Sequence, residues 1–141
     1  MAGDDRNALL LSLEESIRYL QRIQRRVALD KGLTGPQFGF LRLLQESRTA
    51  RISELAEATG VGPSSISGIV TRLEKLELIS RRRSLEDRRV VDVHITDKGE
   101  ELVSDVLEAR LEVLERYYSH LNDQELAQLV KTLKGKGLET R

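Results

Sequence analysis

The sequence predicts a mainly α-helical fold carrying one small β-hairpin, and three observations point there. Apolar residues recur every three or four positions along most of the chain; after Leu78 that period gives way to alternation; after Thr96 the helical period returns. At 141 residues the chain is expected to form one domain, residues 1–141, large enough to bury a core. With 39% hydrophobic but only 4% aromatic residues, that core must be filled by aliphatic side chains.

Leu9, Leu13, Ile17, Leu20, Ile23 or Gln24, and Val27 fall at steps of three and four, which predicts a first amphipathic helix of about six turns. "DKG" ends it, with Gly32 suited to the left-handed cap position. In "LTGPQF", Thr34 caps a second helix, Gln37 completes a capping box, Pro36 sits in the first turn, and Leu33 with Phe38 forms a hydrophobic staple. That helix carries Phe38, Phe40, Leu41 and Leu44 and runs to about Glu46. Ser53 is expected to cap a short third helix, "ELAEAT", which Gly60 ends.

"GVGP" follows as a tight turn, and Pro63 opens a fourth helix reaching about Leu76. Two helices joined by such a turn form a helix-turn-helix candidate. Ile66, Ile69, Val70, Leu73 and Leu76 mark the core side of the fourth helix. Opposite them lie Ser64, Ser65, Gly68, Thr71, Arg72 and Lys75. An ordinary solvated face would favour Glu, Lys and Gln, whereas Gly68 costs about 1 kcal/mol against Ala in a helix interior. Small hydroxyl residues instead let the backbone approach a surface closely and leave donors for phosphates or base edges.

"ISRRR" and "VVDVHIT" each alternate as strands, with residues 84–89 as the loop between them. The stretch "RRRSLEDRRVV" therefore places five arginines, and the acids Glu86 and Asp87, on one flank and the tip of a hairpin that directly follows the fourth helix. Elsewhere such a run reads as a solvated loop. Here it reads as the wing of a winged helix-turn-helix, a mainly α fold with a two- or three-stranded β wing.

Two more helices close the chain. One starts near Thr96 and carries Leu102, Val106, Ala109 or Arg110, Val113 and Tyr117; the other is capped by Asn122 with Glu125 and carries Leu126, Leu129, Val130 and Leu133. The first of these, about 24 residues or ~36 Å, is longer than a compact winged helix needs. Its stripe and that of the first helix call for a cover, either a partner subunit across a two-fold axis or a monomeric helical cap. The division expected is a DNA-binding lobe over about 33–96 and dimerisation helices over about 8–30 and 97–134.

Composition removes several function classes. No cysteine is present, which excludes disulfides, thiolate metal sites and thiol sensing, and two histidines, His94 and His120, supply a zinc site poorly. Neither a metal nor a cofactor is expected. No nucleophile and base stand at a recognisable spacing and no phosphate-binding loop occurs, so the chain does not read as an enzyme. No apolar run approaches a membrane span and the first residues are acidic, which predicts a cytoplasmic protein without membrane partners. Net charge is zero, but residues 61–96 hold seven Lys/Arg against five Asp/Glu while residues 97–141 hold seven against ten. That tilt by itself would not identify a nucleic-acid binder.

The runs "LTGPQFGFLRLLQES", "ISELAEATGVGPSSISGIVTRLEKLELISRRRSLEDRRVVDVHITDKGEEL" and "LNDQELAQLVKTL" resemble the MarR family of winged-helix transcription regulators, over residues 9–133. The most specific part is "LISRRRSLEDRRVVDVHITDKG", which looks like the family's wing and the T-x-K-G that starts the long helix after it. The resemblance implies a triangular homodimer paired through its first and last helices, with two wings flanking one double-stranded DNA. Ser64, Ser65, Ser67, Gly68, Thr71 and Arg72 match the part of the recognition helix that enters the major groove, and Lys75 lies on the same stripe. Asp87 and Arg89 match a wing pair in which the acid braces an arginine entering the minor groove; Arg81, Arg82, Arg83 and Arg88 match nearby phosphate contacts.

Gly62 stands where many relatives cap the recognition helix with Ser or Asp, and Arg83 and Leu85 stand where many have Pro in the wing, which bears on wing rigidity. The cysteine of the peroxide-sensing branch is absent. Many relatives bind aromatic acids or phenols, and Tyr19, Arg22, Phe38, Tyr117 and Tyr118 would supply an aromatic wall with a cation for a carboxylate, unless they are core and interface aromatics. The function implied is a dimeric repressor on a pseudo-palindromic operator, released by a small aromatic or phenolic effector. The alternative is a winged helix that docks a protein partner without sequence-specific DNA binding, and the salt dependence of DNA binding separates the two.

Overall fold

The computed structural model describes residues 2–134. In chain order the elements are α1 (Ala2–Asp30), α2 (Gly35–Ser47), β1 (Thr49–Arg51), α3 (Ile52–Thr59), α4 (Pro63–Lys75), β2 (Ile79–Arg83), β3 (Val91–Ile95), α5 (Asp97–Tyr117) and α6 (Asp123–Lys134). The fold is mainly helical with a small antiparallel sheet in the order β1-β3-β2, a winged helix-turn-helix.

Local chemistry sets most boundaries. α1 stops in a left-handed turn: Gly32 has φ +81°, and the Leu33 N–H donates to the Ala28 carbonyl at 2.9 Å. The Thr34 hydroxyl accepts from the Gln37 N–H while the Gln37 side chain accepts from the Thr34 N–H at 3.0 Å, so α2 opens on the expected capping box. Gly60, with φ +64°, ends α3. At α6 the box is again complete, with the Asn122 N–H donating to Glu125 at 2.8 Å and the Glu125 N–H to Asn122 at 2.9 Å.

Some boundaries differ from the sequence expectation. Ser53 does not cap α3. Residues 49–51 are drawn into β1, pairing with Asp92, Val93 and His94 of β3, so the helix leaves the strand directly and Arg51 becomes the cap residue. An arginine side chain has no acceptor to offer. Only the reciprocal half of a capping box forms, the Arg51 N–H donating to Glu54 Oε2 at 3.0 Å. α1 begins well before Leu9, and α5 is 21 rather than about 24 residues long.

Two compact units divide the chain, Met1–Arg110 and Leu111–Arg141. In the first, Leu33, Phe38, Phe40, Leu41 and Leu44 pack with Leu55, with Ile66, Val70 and Leu73 of α4, and with Leu78, Ile79 and Val93 of the wing. Ala28 of α1 and Val103 and Val106 of α5 join the same cluster. Nearer its start, α1 is different: Leu9, Leu10, Leu13 and Ile17 are all exposed. In the second unit Leu126, Leu129 and Val130 of α6 are exposed as well. The Leu133 side chain, expected on that same face, lies outside the described residues. Among the described residues no helix is long and apolar enough to cross a membrane.

Candidate nucleic-acid interface

α4 turns one face to the core and the other to solvent because its apolar residues follow the helical period. Ile66, Ile69, Val70 and Leu73 are buried; Ser64, Ser65, Ser67, Gly68, Thr71, Arg72 and Lys75 are all exposed. Pro63 occupies the first turn, and the cap residue Gly62 contributes no side-chain bond. Gly68 has no packing reason to be glycine, since an added Cβ would meet nothing within 4 Å. Its effect is to leave the middle of the exposed stripe flat, at a cost in helix propensity.

The end of α4 is anchored with more care than its start. The Leu78 N–H donates to the Leu73 carbonyl at 3.0 Å and the Glu77 N–H to the Glu74 carbonyl at 2.9 Å, the paired bonds of a Schellman turn, with Glu77 at φ +62° where glycine is usual. Thr96 ties that turn to α5. Its hydroxyl donates to the Glu77 carbonyl at 2.7 Å and accepts from the Gly99 N–H at 3.1 Å, while its own N–H donates to the Leu78 carbonyl at 3.0 Å. Lys98 Nζ adds a 3.5 Å ion pair with Glu77. The "TDKG" stretch thereby joins the end of α4, the root of the wing and the start of α5.

In the wing, Arg81, Arg82 and Arg83 stand opposite Val93, Asp92 and Val91. Ser84 donates its N–H to the Val90 carbonyl and Val90 its N–H to the Asp87 carbonyl, each at 2.9 Å. Asp87 Oδ1 accepts the Arg89 N–H at 3.0 Å, and Ser84 Oγ accepts the Glu86 N–H at 3.3 Å. These bonds shape the tip without proline, and they leave Leu85 fully exposed. The carboxylate of Asp87 organises the backbone of the turn; among the described residues no bond joins it to the Arg89 guanidinium. Arg82, Arg83, Arg88 and Arg89 are exposed and have no ion pair among the described residues, whereas Arg81 Nε bonds Glu74 Oε2 at 3.0 Å.

Glu74 is a residue that the sequence reading passed over. It lies three positions beyond Thr71 and one before Lys75, an acid on the rim of a basic stripe, and that position was its signal. The hydrogen bond from Arg81, offset by some burial, holds its carboxyl below the ordinary carboxylate range. A second group was expected only as a position on the stripe of the long helix. Arg110 falls on the core-facing side of α5, seven and four positions after Val103 and Val106. Its Nη1 donates to Gln24 Oε1 at 3.0 Å, while its Nε is buried with no hydrogen-bond partner. Burial, and then the nearby charge of Arg42, lower its pKa.

The expected effector residues fall in both units. Arg22 lies over the Tyr19 ring, 5.9 Å from its centroid, on α1. Phe38 is fully buried in the core of the first unit. Tyr117 and Tyr118 belong to the second unit and meet edge to face at 4.9 Å. Tyr118 also lines an open groove there of about 710 Å³, with Leu111, Leu114 and Leu126.

Known proteins repeat this arrangement. The model of the MarR family matches residues 33–91, from just before α2 to the first residue of β3. The HTH-type transcriptional repressor MdtR of Bacillus subtilis (strain 168) is 33% identical over 118 residues, which cover 84% of this chain and 76% of that protein. Among solved structures, the transcriptional regulator Tm0710 from Thermotoga maritima superposes with a TM-score of 0.80 at 30% identity, over 92% of this chain and 91% of that one. NadR in complex with 4-hydroxyphenylacetate gives a TM-score of 0.65 at 28% identity, over 87% of each chain. With sequence likeness running through the helix-turn-helix, the wing and most of the helices around them, the chain belongs to the MarR family of DNA-binding transcription regulators.

Proposed function

We propose that the chain acts as a homodimeric repressor. Each α4 enters a major groove of a pseudo-palindromic operator, each wing reaches the adjacent minor groove, and a small aromatic or phenolic carboxylate releases the complex. The observation that carries this reading is the presence of two exposed surfaces on one compact unit: the Ser64–Ser65–Ser67–Gly68–Thr71 stripe of α4 and the arginine-bearing wing. Hydroxyls and a flat backbone suit groove edges, and arginines suit phosphates and a narrow minor groove. The uncovered leucines of α1 and the apolar face of α6 supply what a subunit interface requires. MdtR bears the name of a repressor, and this supports the sign of regulation.

For the effector, the favoured seat is beside Arg42, Arg110 and Gln24. A carboxylate there would bond the unpartnered Arg110 Nε and offset the repulsion between the two guanidinium groups. The ligand seen with NadR, a phenol bearing a carboxylate, is of that class. Tyr19 and Arg22 of α1 would contribute an aromatic ring and a further cation. Release asks little of the ligand, since ~100-fold preference for a dimer of the wrong spacing corresponds to about 2.7 kcal/mol of coupling.

The test is to select duplexes from a randomised library with the full chain, then titrate 4-hydroxyphenylacetate and a panel of aromatic acids and phenols into the complex. Enrichment of a two-fold symmetric sequence, and loss of its binding with one of these compounds, is expected. Arg42→Gln should remove the response to the compound while leaving duplex affinity in place. A panel that changes neither thermal stability nor DNA affinity would return these side chains to a purely structural role.

A further inference from the structure

Among the surfaces that α4 and the wing present, Glu74 is out of place. The exposed stripe and hairpin bring together Arg72, Lys75, Arg82, Arg83, Arg88 and Arg89, and a carboxylate among them repels phosphates. A residue that only hinders binding has no reason to sit there. What Glu74 does is visible in its partner: Arg81 Nε, across the gap between the last turn of α4 and the middle of β2, at 3.0 Å. The two side chains are 40% and 39% exposed, so the pair is within reach of a duplex.

A guanidinium has five N–H donors, and this bond engages Nε. The two Nη groups have no other partner among the described residues. An arginine held through Nε has a fixed direction, unlike the neighbouring wing arginines, which have no ion pair among the described residues. Paired with Glu74 it also has no net charge to offer. Binding to arbitrary DNA is dominated by net positive charge and counterion release, whereas binding to the correct site depends on donors that already point the right way.

We propose that Glu74 is a specificity-determining residue, which aims Arg81 at a single phosphate of the correctly docked duplex and removes its charge from the attraction for all other DNA. Glu74 thereby lowers non-specific affinity more than specific affinity. The proposal rests on the reading of α4 and the wing as the DNA-contacting surface.

Glu74→Gln removes the charge and keeps an acceptor for Nε; Glu74→Ala removes both. Affinity is measured, over a salt series, for a duplex selected by the wild-type chain and for the unselected library. On the library both variants should bind more tightly, by about fivefold at low salt, with a salt slope steeper by about one unit. On the selected duplex Glu74→Ala should bind more weakly than Glu74→Gln, because the aim is lost. The ratio of selected to library affinity then falls in both variants, more in Glu74→Ala. The charge exchange Glu74→Arg with Arg81→Glu should recover part of the ratio, a recovery that a loss of folding would not produce. If the ratio and the salt slope stay at wild-type values in both single variants, the inference is overturned while the DNA reading stands. If the wild-type chain enriches no sequence at all, the DNA reading fails first and takes the inference with it.

Discussion

Gly99 lies directly against the backbone of Leu78: a Cβ on Gly99 would overlap the Leu78 carbonyl oxygen, and it would come within 2.8 Å of Ile95 Cγ1. α5 can thus start flush against the turn that ends α4, and only glycine permits it. Gly99→Ala should destabilise the protein by about 1–3 kcal/mol, as overpacking against backbone does. Thermal unfolding checks it, with a wild-type midpoint as the contrary result. Thr96→Val, which keeps the volume but loses the cap and the bond to Glu77, should cost about 1 kcal/mol.

Gly68 gives the opposite expectation. Its surroundings are open and its backbone is helical, so Gly68→Ala should raise stability by about 0.5–1 kcal/mol. If the stripe meets DNA closely, the same methyl group should weaken binding to a selected duplex. A variant that is more stable and binds equally well would show that α4 does not approach the groove at this point.

The parts of this fold legible in sequence are those made by neighbours in sequence. Thr34 with Gln37, Asn122 with Glu125, and the alternation of residues 79–83 and 91–95 announce their structure within a few positions. β1 does not. Thr49, Ala50 and Arg51 have no strand pattern and are extended because β3 pairs with them from more than 40 positions away, and that pairing is also why Ser53 lost the cap. The site divides in the same way. The stripe of α4 follows from helical spacing, but the partner of Arg110 is 86 positions distant, and that of Arg81 lies across a turn whose geometry no local rule supplied.

The wing supports an asymmetric pair of substitutions. Arg89→Ala should cost about 1–3 kcal/mol of specific binding and reduce the salt slope by about one unit. Asp87→Ala removes a negative charge near DNA, yet it also removes the acceptor of the Arg89 N–H that shapes the tip. Bracing therefore predicts weaker binding to a selected duplex with library binding unchanged or stronger. Tighter binding to the selected duplex would mean that the acid is no brace.

The dimer is best tested without deleting α1. Ala28 and Ile23 of that helix are buried, so removing it would damage the lobe along with any subunit contact. Leu9→Glu combined with Leu13→Glu leaves those residues alone and places charge on an exposed apolar stripe. Sedimentation should show a folded monomer with at least tenfold weaker duplex binding. A variant that remains dimeric would move the interface elsewhere.

The central claim is that one molecule of DNA is read by two copies of α4 and two wings. Chemical footprinting of a selected duplex measures this directly. Guanine N7 protection from methylation is expected in two major-groove half-sites whose centres lie about one helical turn, ~34 Å, apart, with minor-groove protection outside each that disappears in Arg89→Ala. A single protected half-site, or protection confined to the phosphate backbone with the bases left reactive, would contradict it.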